Sequence, residues 1–121
     1  MLKRQLRLTK KDNILKIIKD GNRVAGKFFL CKFLENKLEH CRFAIIVSKK
    51  VEKKAVKRNK CRRRIYEAIR NNVNNIGSNK SYDIVILTNQ SCLNASFSEI
   101  EQEIKKINIG RKISNVSYSP G

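Results

Sequence analysis

The residues best suited to chemistry in this chain are basic and crowded into one stretch. From Ser48 to Arg70 the sequence reads SKKVEKKAVKRNKCRRRIYEAIR, with Lys or Arg at 49, 50, 53, 54, 57, 58, 60, 62, 63, 64 and 70 and acids only at Glu52 and Glu67. That leaves +9 on the segment, half of the +18 carried by the whole chain. The chemistry open to such a run is recognition of a polyanion. Guanidinium forks fit phosphate oxygens two at a time, and the amide of Asn59 can both donate and accept toward a sugar or base edge. A solvated helix face usually interleaves acids at i,i+4 to relieve repulsion. Here Arg62, Arg63 and Arg64 are contiguous and only Glu67 lies within reach, which favours an RNA-binding face over an ordinary charged surface.

Groups for acid–base or metal-assisted cleavage are not gathered in the same way. His40 stands alone in a polar turn, Asp12, Asp20 and Asp83 are dispersed, and Glu99, Glu101 and Glu103 fall on a predicted helix where they favour its dipole. Cys31, Cys41, Cys61 and Cys92 contain no CxxC pair, so the expectation is thiols in a reducing compartment, with neither a metal site nor a disulfide. The chain by itself is not expected to be a catalyst.

The elements that must position the basic run follow from periodicity and punctuation. Thr9 and Asp12 suit the start of a short helix through Ile14, Leu15, Ile17 and Ile18, with Gly21 as its stop. Val24 to Leu34 and Phe43 to Val47 read as strands, a candidate hairpin pair, separated by the polar stretch Glu35 to His40. Beyond Ser48 a helix can run through most of Lys49 to Arg70, since no Gly or Pro interrupts it. At about 100° per residue, Cys61, Ile65, Ala68 and Ile69 form a packing stripe, while Asn59, Lys60, Arg63 and Arg70 gather on the opposite side. Arg58 winds toward the packing side and is expected to act from the first turn, near the sheet edge. Asn71 to Ser81 reads as an exit loop, Tyr82 to Thr88 as a buried strand, and Ser96 with Glu99 as a capping box ahead of Ile100, Ile104 and Ile107, with Gly110 as the end.

The order helix, strand, strand, helix, strand, helix predicts an α+β fold, a small sandwich whose first strand region is open to being split and whose sheet faces need not be equally covered. A length of 121 residues predicts a single domain over 1–121, with 111–121 as a frayed tail. A pI near 10.2 calls for a polyanionic partner, and phosphate backbones relieve such charge by counterion release. A membrane surface is the weaker candidate, because the chain has no Trp, 7% aromatics and no apolar run of spanning length. A soluble cytoplasmic protein is expected.

The run Val47-Ser48-Lys49-Lys50, then Ala55-Val56-Lys57-Arg58-Asn59-Lys60 and Arg62-Arg63, resembles the signature of the bacterial ribonuclease P protein subunit family. That signature reads as a V-S-K-K strand end, a short basic loop and R-N-R-x-K-R entering a long helix. The chain departs from it at Lys60, where Arg is usual, and at Cys61, where an aliphatic is usual. Glu52-Lys53-Lys54 stand where many members carry a loop Gly, and Tyr66 stands where a further Arg often sits.

The resemblance implies a left-handed βαβ crossover, against the general right-handed preference. It also implies a subunit that binds the catalytic RNA and the 5′ leader of precursor tRNA, one protein per RNA, in an endonucleolytic tRNA-processing ribonucleoprotein whose chemistry the RNA performs with Mg2+. On that basis Lys49, Lys50, Lys53, Lys57, Arg58, Asn59, Lys60, Arg62, Arg63 and Arg70 are expected to bind RNA. The family's leader cleft lies between the first helix and the sheet and is often lined by aromatics suited to stacking. Here Ile14 and Ile18 stand at those positions, with Phe28 or Phe29 turned toward the cleft by strand alternation and Arg7, Arg23, Lys27 and Lys32 as nearby cations. The alternative from a different class is a structural RNA-binding protein such as a ribosomal component; a DNA-binding domain would need a turn-linked helix pair that is not legible.

Overall fold

The computed structural model of the protein describes residues 6–72 and 81–106. Along the chain they form α1 (Lys11–Asp20), β1 (Asn22–Ala25), β2 (Phe29–Glu35), β3 (Arg42–Ile46), α2 (Ala55–Asn72), β4 (Tyr82–Thr88), α3 (Gln90–Leu93) and α4 (Phe97–Lys106). The four strands make one sheet in the order β1-β2-β4-β3. The expected features at Ile107, Gly110 and the 111–121 tail, and most of the predicted exit loop, lie outside the described residues.

Tyr82 to Thr88 is a strand, and its apolar character decides the sheet. Six of its seven residues are buried, a pattern that needs cover on both faces and neighbours on both edges. β4 therefore takes a central place, pairing antiparallel with β2 and parallel with β3. This corrects the expectation that the 24–34 and 43–47 runs pair with each other. The first run instead folds back on itself, Arg23 opposite Lys32 and Ala25 opposite Leu30. The turn closes through the Gly26 amide, which donates to the Phe29 carbonyl at 2.9 Å, and the Phe28 amide donates to Glu103 of α4 at 2.7 Å. Without a side-chain carboxylate from another element the Phe28 donor would be stranded.

The sheet carries helices on both faces, unequally. On one side Phe29, Cys31, Phe33, Phe43, Ile84 and Ile86 meet Ile65 and Ile69 of α2 and Ile100 and Ile104 of α4. Burial of each of these isoleucines contributes about 1.5–3 kcal/mol. On the other, Leu8 and Ile17 cover Ala44 and Val85, while Ile14, Ile18, Leu34, Ile46 and Leu87 remain only partly buried.

Three helix boundaries show the local physics. The Ser96–Glu99 box forms as expected: Glu99 N–H donates to Ser96 Oγ at 3.1 Å and Ser96 N–H to Glu99 Oε1 at 3.0 Å. The predicted Thr9–Asp12 cap does not; the N-cap is Lys10 and makes no side-chain bond. Gly21 ends α1, but in extended backbone at φ −72° and not as a left-handed cap. Its lack of a side chain answers a close approach, since a Cβ there would sit 2.5 Å from the Ile17 carbonyl oxygen and 3.1 Å from the Phe33 backbone. α3 has no counterpart among the sequence expectations, as one turn is too short to show a period.

Candidate nucleic-acid interface

α2 presents its two sides as the winding predicts. Cys61, Ile65, Ala68 and Ile69 are buried under the sheet, whereas Lys57, Asn59, Lys60, Arg63 and Arg70 are exposed. The loop ahead of it turns tightly on Ser48, whose carbonyl accepts from Val51 and Glu52 N–H, both at 3.1 Å. Lys49, Lys50 and Lys53 project from this turn into solvent. α2 begins only at Ala55, so these three lysines extend the basic surface from the sheet's end and not from the helix.

Arg58 does what a charge on the packing side must do. Its Nη1 donates to the carbonyls of Glu52 and Lys53 at 3.0 and 2.7 Å, clamping the basic loop to the first turn of the helix. Arg62 Nη2 donates to Asn59 Oδ1, so the motif amide and a motif guanidinium are held together one turn apart. Glu52, the acid of the loop, accepts from the Lys54 N–H at 3.1 Å. That bond first, and the nearby lysines after it, hold its carboxyl below the usual range. Glu67 is paired with Arg70 at 3.0 Å. Arg70 stands about 18 Å along the axis from Arg58, exposed in the last turn of the same helix.

Three residues on this side have a placement that the sequence did not assign. Arg64 Nη1 donates to the Ala95 carbonyl at 3.2 Å, tying α2 to the loop before α4. Val56 is 76% exposed although it lies within the motif; its winding, about half a turn from the packing stripe, is the signal that could have found it. Phe97 is 38% exposed and lines a shallow groove with Lys60, Arg63 and Arg64. A deeper cleft of about 500 Å³ opens between the loop, α2 and α3, bordered by Glu52, Lys57, Lys60, Cys61 and Arg64.

Of the residues expected in a cleft beside α1, the structure gathers Ile14, Ile18 and Lys32. The two isoleucines pack, half-buried, toward Leu34, Ile46 and Leu87, and Lys32 lies between Leu30 and Leu34 on that strand, opposite Arg23. Phe28 and Arg7 are elsewhere. Phe28 precedes β2 and is 6% exposed in the same core as Phe29, with Lys27 Nζ 5.4 Å from its ring centre, so strand alternation does not separate the two rings. Arg7 bridges to Phe43 in parallel register, which turns its side chain toward α2. Its Nε is buried without a hydrogen-bond partner. Burial raises the Tyr66 hydroxyl's pKa, opposed by the Ile45 amide and by the positive fields of Arg7 and Arg62, which places Arg7 with the motif helix.

Among the described residues no three His, Cys, Asp or Glu side chains are grouped to hold a metal, and no helix is long and apolar enough to cross a membrane. A four-stranded α+β sandwich with one densely cationic helix and loop defines a small basic protein of the RNA-binding class. The family model for ribonuclease P matches residues 2–110. The chain is 38% identical over 100 residues to the ribonuclease P protein component of Clostridioides difficile, covering 83% of this chain and 86% of that one. Its fold matches the RNase P protein of Staphylococcus aureus with TM-score 0.74 and 29% identity, over 92% and 96% of the two chains. It matches that of Thermotoga maritima with TM-score 0.75 and 27% identity, over 87% and 96%. The chain belongs to the ribonuclease P protein family, whose members are the protein component of a ribonucleoprotein endoribonuclease of tRNA 5′ maturation.

Proposed function

We propose that the loop and helix from Lys49 to Arg63 dock on the ribonuclease P RNA, and that the half-covered sheet face beside α1 receives the 5′ leader of precursor tRNA. The observation that carries the first part is the disposition of charge. Both acids between Lys49 and Arg70 are already bonded within that stretch, Glu52 to the Lys54 amide and Glu67 to Arg70, while Lys57, Lys60 and Arg63 stand in solvent. Arg58 holds the loop in place and Arg62 holds Asn59, so the surface is preorganised and loses less freedom on binding. Arg7 adds to this side and not to the leader side.

For the leader, Ile14, Ile18 and Leu34 offer apolar contact, and Lys32 and Arg23 offer phosphate contacts. Phosphodiester cleavage belongs to the RNA subunit and its Mg2+, in the cytoplasm, with one protein per RNA. The protein contributes affinity for the substrate and screening of phosphate repulsion. Reconstitution tests this reading. The protein, a bacterial ribonuclease P RNA and a precursor tRNA are mixed at low magnesium, and cleavage is expected to exceed that of RNA alone; no gain would overturn the proposal.

A further inference from the structure

Cys61 of the motif helix and Cys92 of α3 face one another in the core. Their Sγ atoms are 3.6 Å apart and share a hydrogen bond, and the residues are 4% and 0% exposed. A disulfide holds its sulfurs at about 2.05 Å, so closure requires an approach of about 1.5 Å. Cys92 lies on the four-residue helix α3, between Asn89 and Asn94, and Cys61 on the longer α2.

The pair is reached from one side. Cys61 borders the cleft between the basic loop and α3, whereas Cys92 lies behind it. The thiols are also unequal. The hydrogen bond with Cys92 and the fields of Arg64 and Arg62 outweigh burial and hold the Cys61 thiol below its ordinary range. The same bond, burial and nearby negative charge push Cys92 far up. A lowered thiol beside a cleft reacts, and a raised one behind it waits.

We infer that Cys61 and Cys92 form an oxidisable pair, Cys61 attacking a peroxide and Cys92 resolving the product, whose disulfide ties the motif helix to α3. In the first step the Cys61 sulfur takes one peroxide oxygen, the O–O bond breaks, and the departing hydroxide leaves as water with the thiol proton. In the second the Cys92 sulfur attacks the sulfenic sulfur, the S–S bond forms as the S–O bond breaks, and hydroxide leaves as a second water with the Cys92 proton. Two electrons pass from the pair to the peroxide.

The test uses the full, folded, reduced chain and hydrogen peroxide. After oxidation the protein is unfolded without reductant, remaining thiols are capped with iodoacetamide, and peptides are mapped by mass spectrometry. The expected product links Cys61 to Cys92 and leaves Cys31 and Cys41 capped, with a thermal midpoint raised by about 10 °C, since the bridge closes a long loop through β4. In C92S the Cys61 sulfenic acid is expected to be trapped by a cyclic 1,3-dione, and in C61S Cys92 stays unoxidised; C92A and C61A give the same two readouts where a buried hydroxyl is not tolerated. Capping of all four thiols after peroxide, or sulfenic acid at Cys31 or Cys41 ahead of Cys61, overturns the inference.

Discussion

Arg42 grips Asp83 across the parallel β3–β4 pair, Nε to Oδ1 at 2.8 Å and Nη2 to Oδ2 at 2.6 Å, at directly opposed positions of the two strands. The Asn36 amide adds a third bond to Oδ1 at 2.9 Å. One carboxylate thus joins β4 to β3 and to the turn that follows β2. Its side chain is 11% exposed against 29% for Arg42, so the pair is only partly screened by solvent. Asp83→Ala is expected to lower unfolding stability by about 2 kcal/mol, as it removes the acceptor of three hydrogen bonds from two residues. Urea titration measures this. Asp83→Asn, which keeps the shape, is expected to cost less.

The clamp at Arg58 separates geometry from charge. Arg58→Lys keeps the charge but loses the guanidinium whose Nη1 donates to both the Glu52 and the Lys53 carbonyl. It is expected to weaken binding to ribonuclease P RNA several-fold with little change in salt slope. Arg62→Ala and Arg63→Ala are expected instead to reduce the slope of log K against log salt by roughly 0.7–0.9 for each phosphate no longer neutralised. Filter binding over a salt series distinguishes the two behaviours.

Arg7 and Lys32 lie toward opposite faces of the sheet, so their variants are expected to part company. Arg7→Ala should reduce affinity for the RNA subunit and leave the preference for precursor over mature tRNA intact. Lys32→Ala should do the reverse, measured as the ratio of precursor to mature tRNA affinity in the reconstituted holoenzyme. A fall in that ratio for Arg7→Ala would return Arg7 to the leader.

Ile14 and Ile18 supply apolar contact without a π-face, and base stacking on an aromatic is worth about 1–3 kcal/mol per base. Ile14→Phe and Ile18→Phe are expected to tighten binding of precursor tRNA with a leader of several nucleotides, with mature tRNA unaffected. If both variants only lose stability, the two isoleucines are core residues and the ring overpacks their site.

The Ser96–Glu99 box predicts a pH response. Hydrogen bonds from Ser96, foremost the one from its backbone amide, hold Glu99 below its ordinary 4.5. A carboxylate depressed in the folded state stabilises fully above its unfolded pKa and loses that contribution as pH falls through the folded value. Glu99→Gln is therefore expected to lower stability modestly at neutral pH and to flatten the acid limb, the variant and the parent converging as pH falls below about 4.5. Thermal melts from pH 3 to 7 check it, roughly spanning the range in which carboxylates titrate.

How much was legible in the sequence depended on the range of the interaction. The stripe of Cys61, Ile65, Ala68 and Ile69, the exposed face through Asn59 and Arg63, the capping box and the strand Tyr82–Thr88 all follow from periods of a few residues, and the structure carries them unchanged. The motif around Arg58 and Asn59 is likewise contiguous in the chain, which is why the family was readable from residues alone. Strand partnership is not of that kind. That β4 enters between β2 and β3, and that residues 22–35 fold into a hairpin, depend on burying both faces of β4 at once. The destinations of Arg7 and Phe28, the two carbonyls that Arg58 holds, and the meeting of Cys61 with a cysteine 31 residues away are consequences of that packing. A one-residue change of register reverses the face a strand residue occupies, and only the assembled sheet decides it.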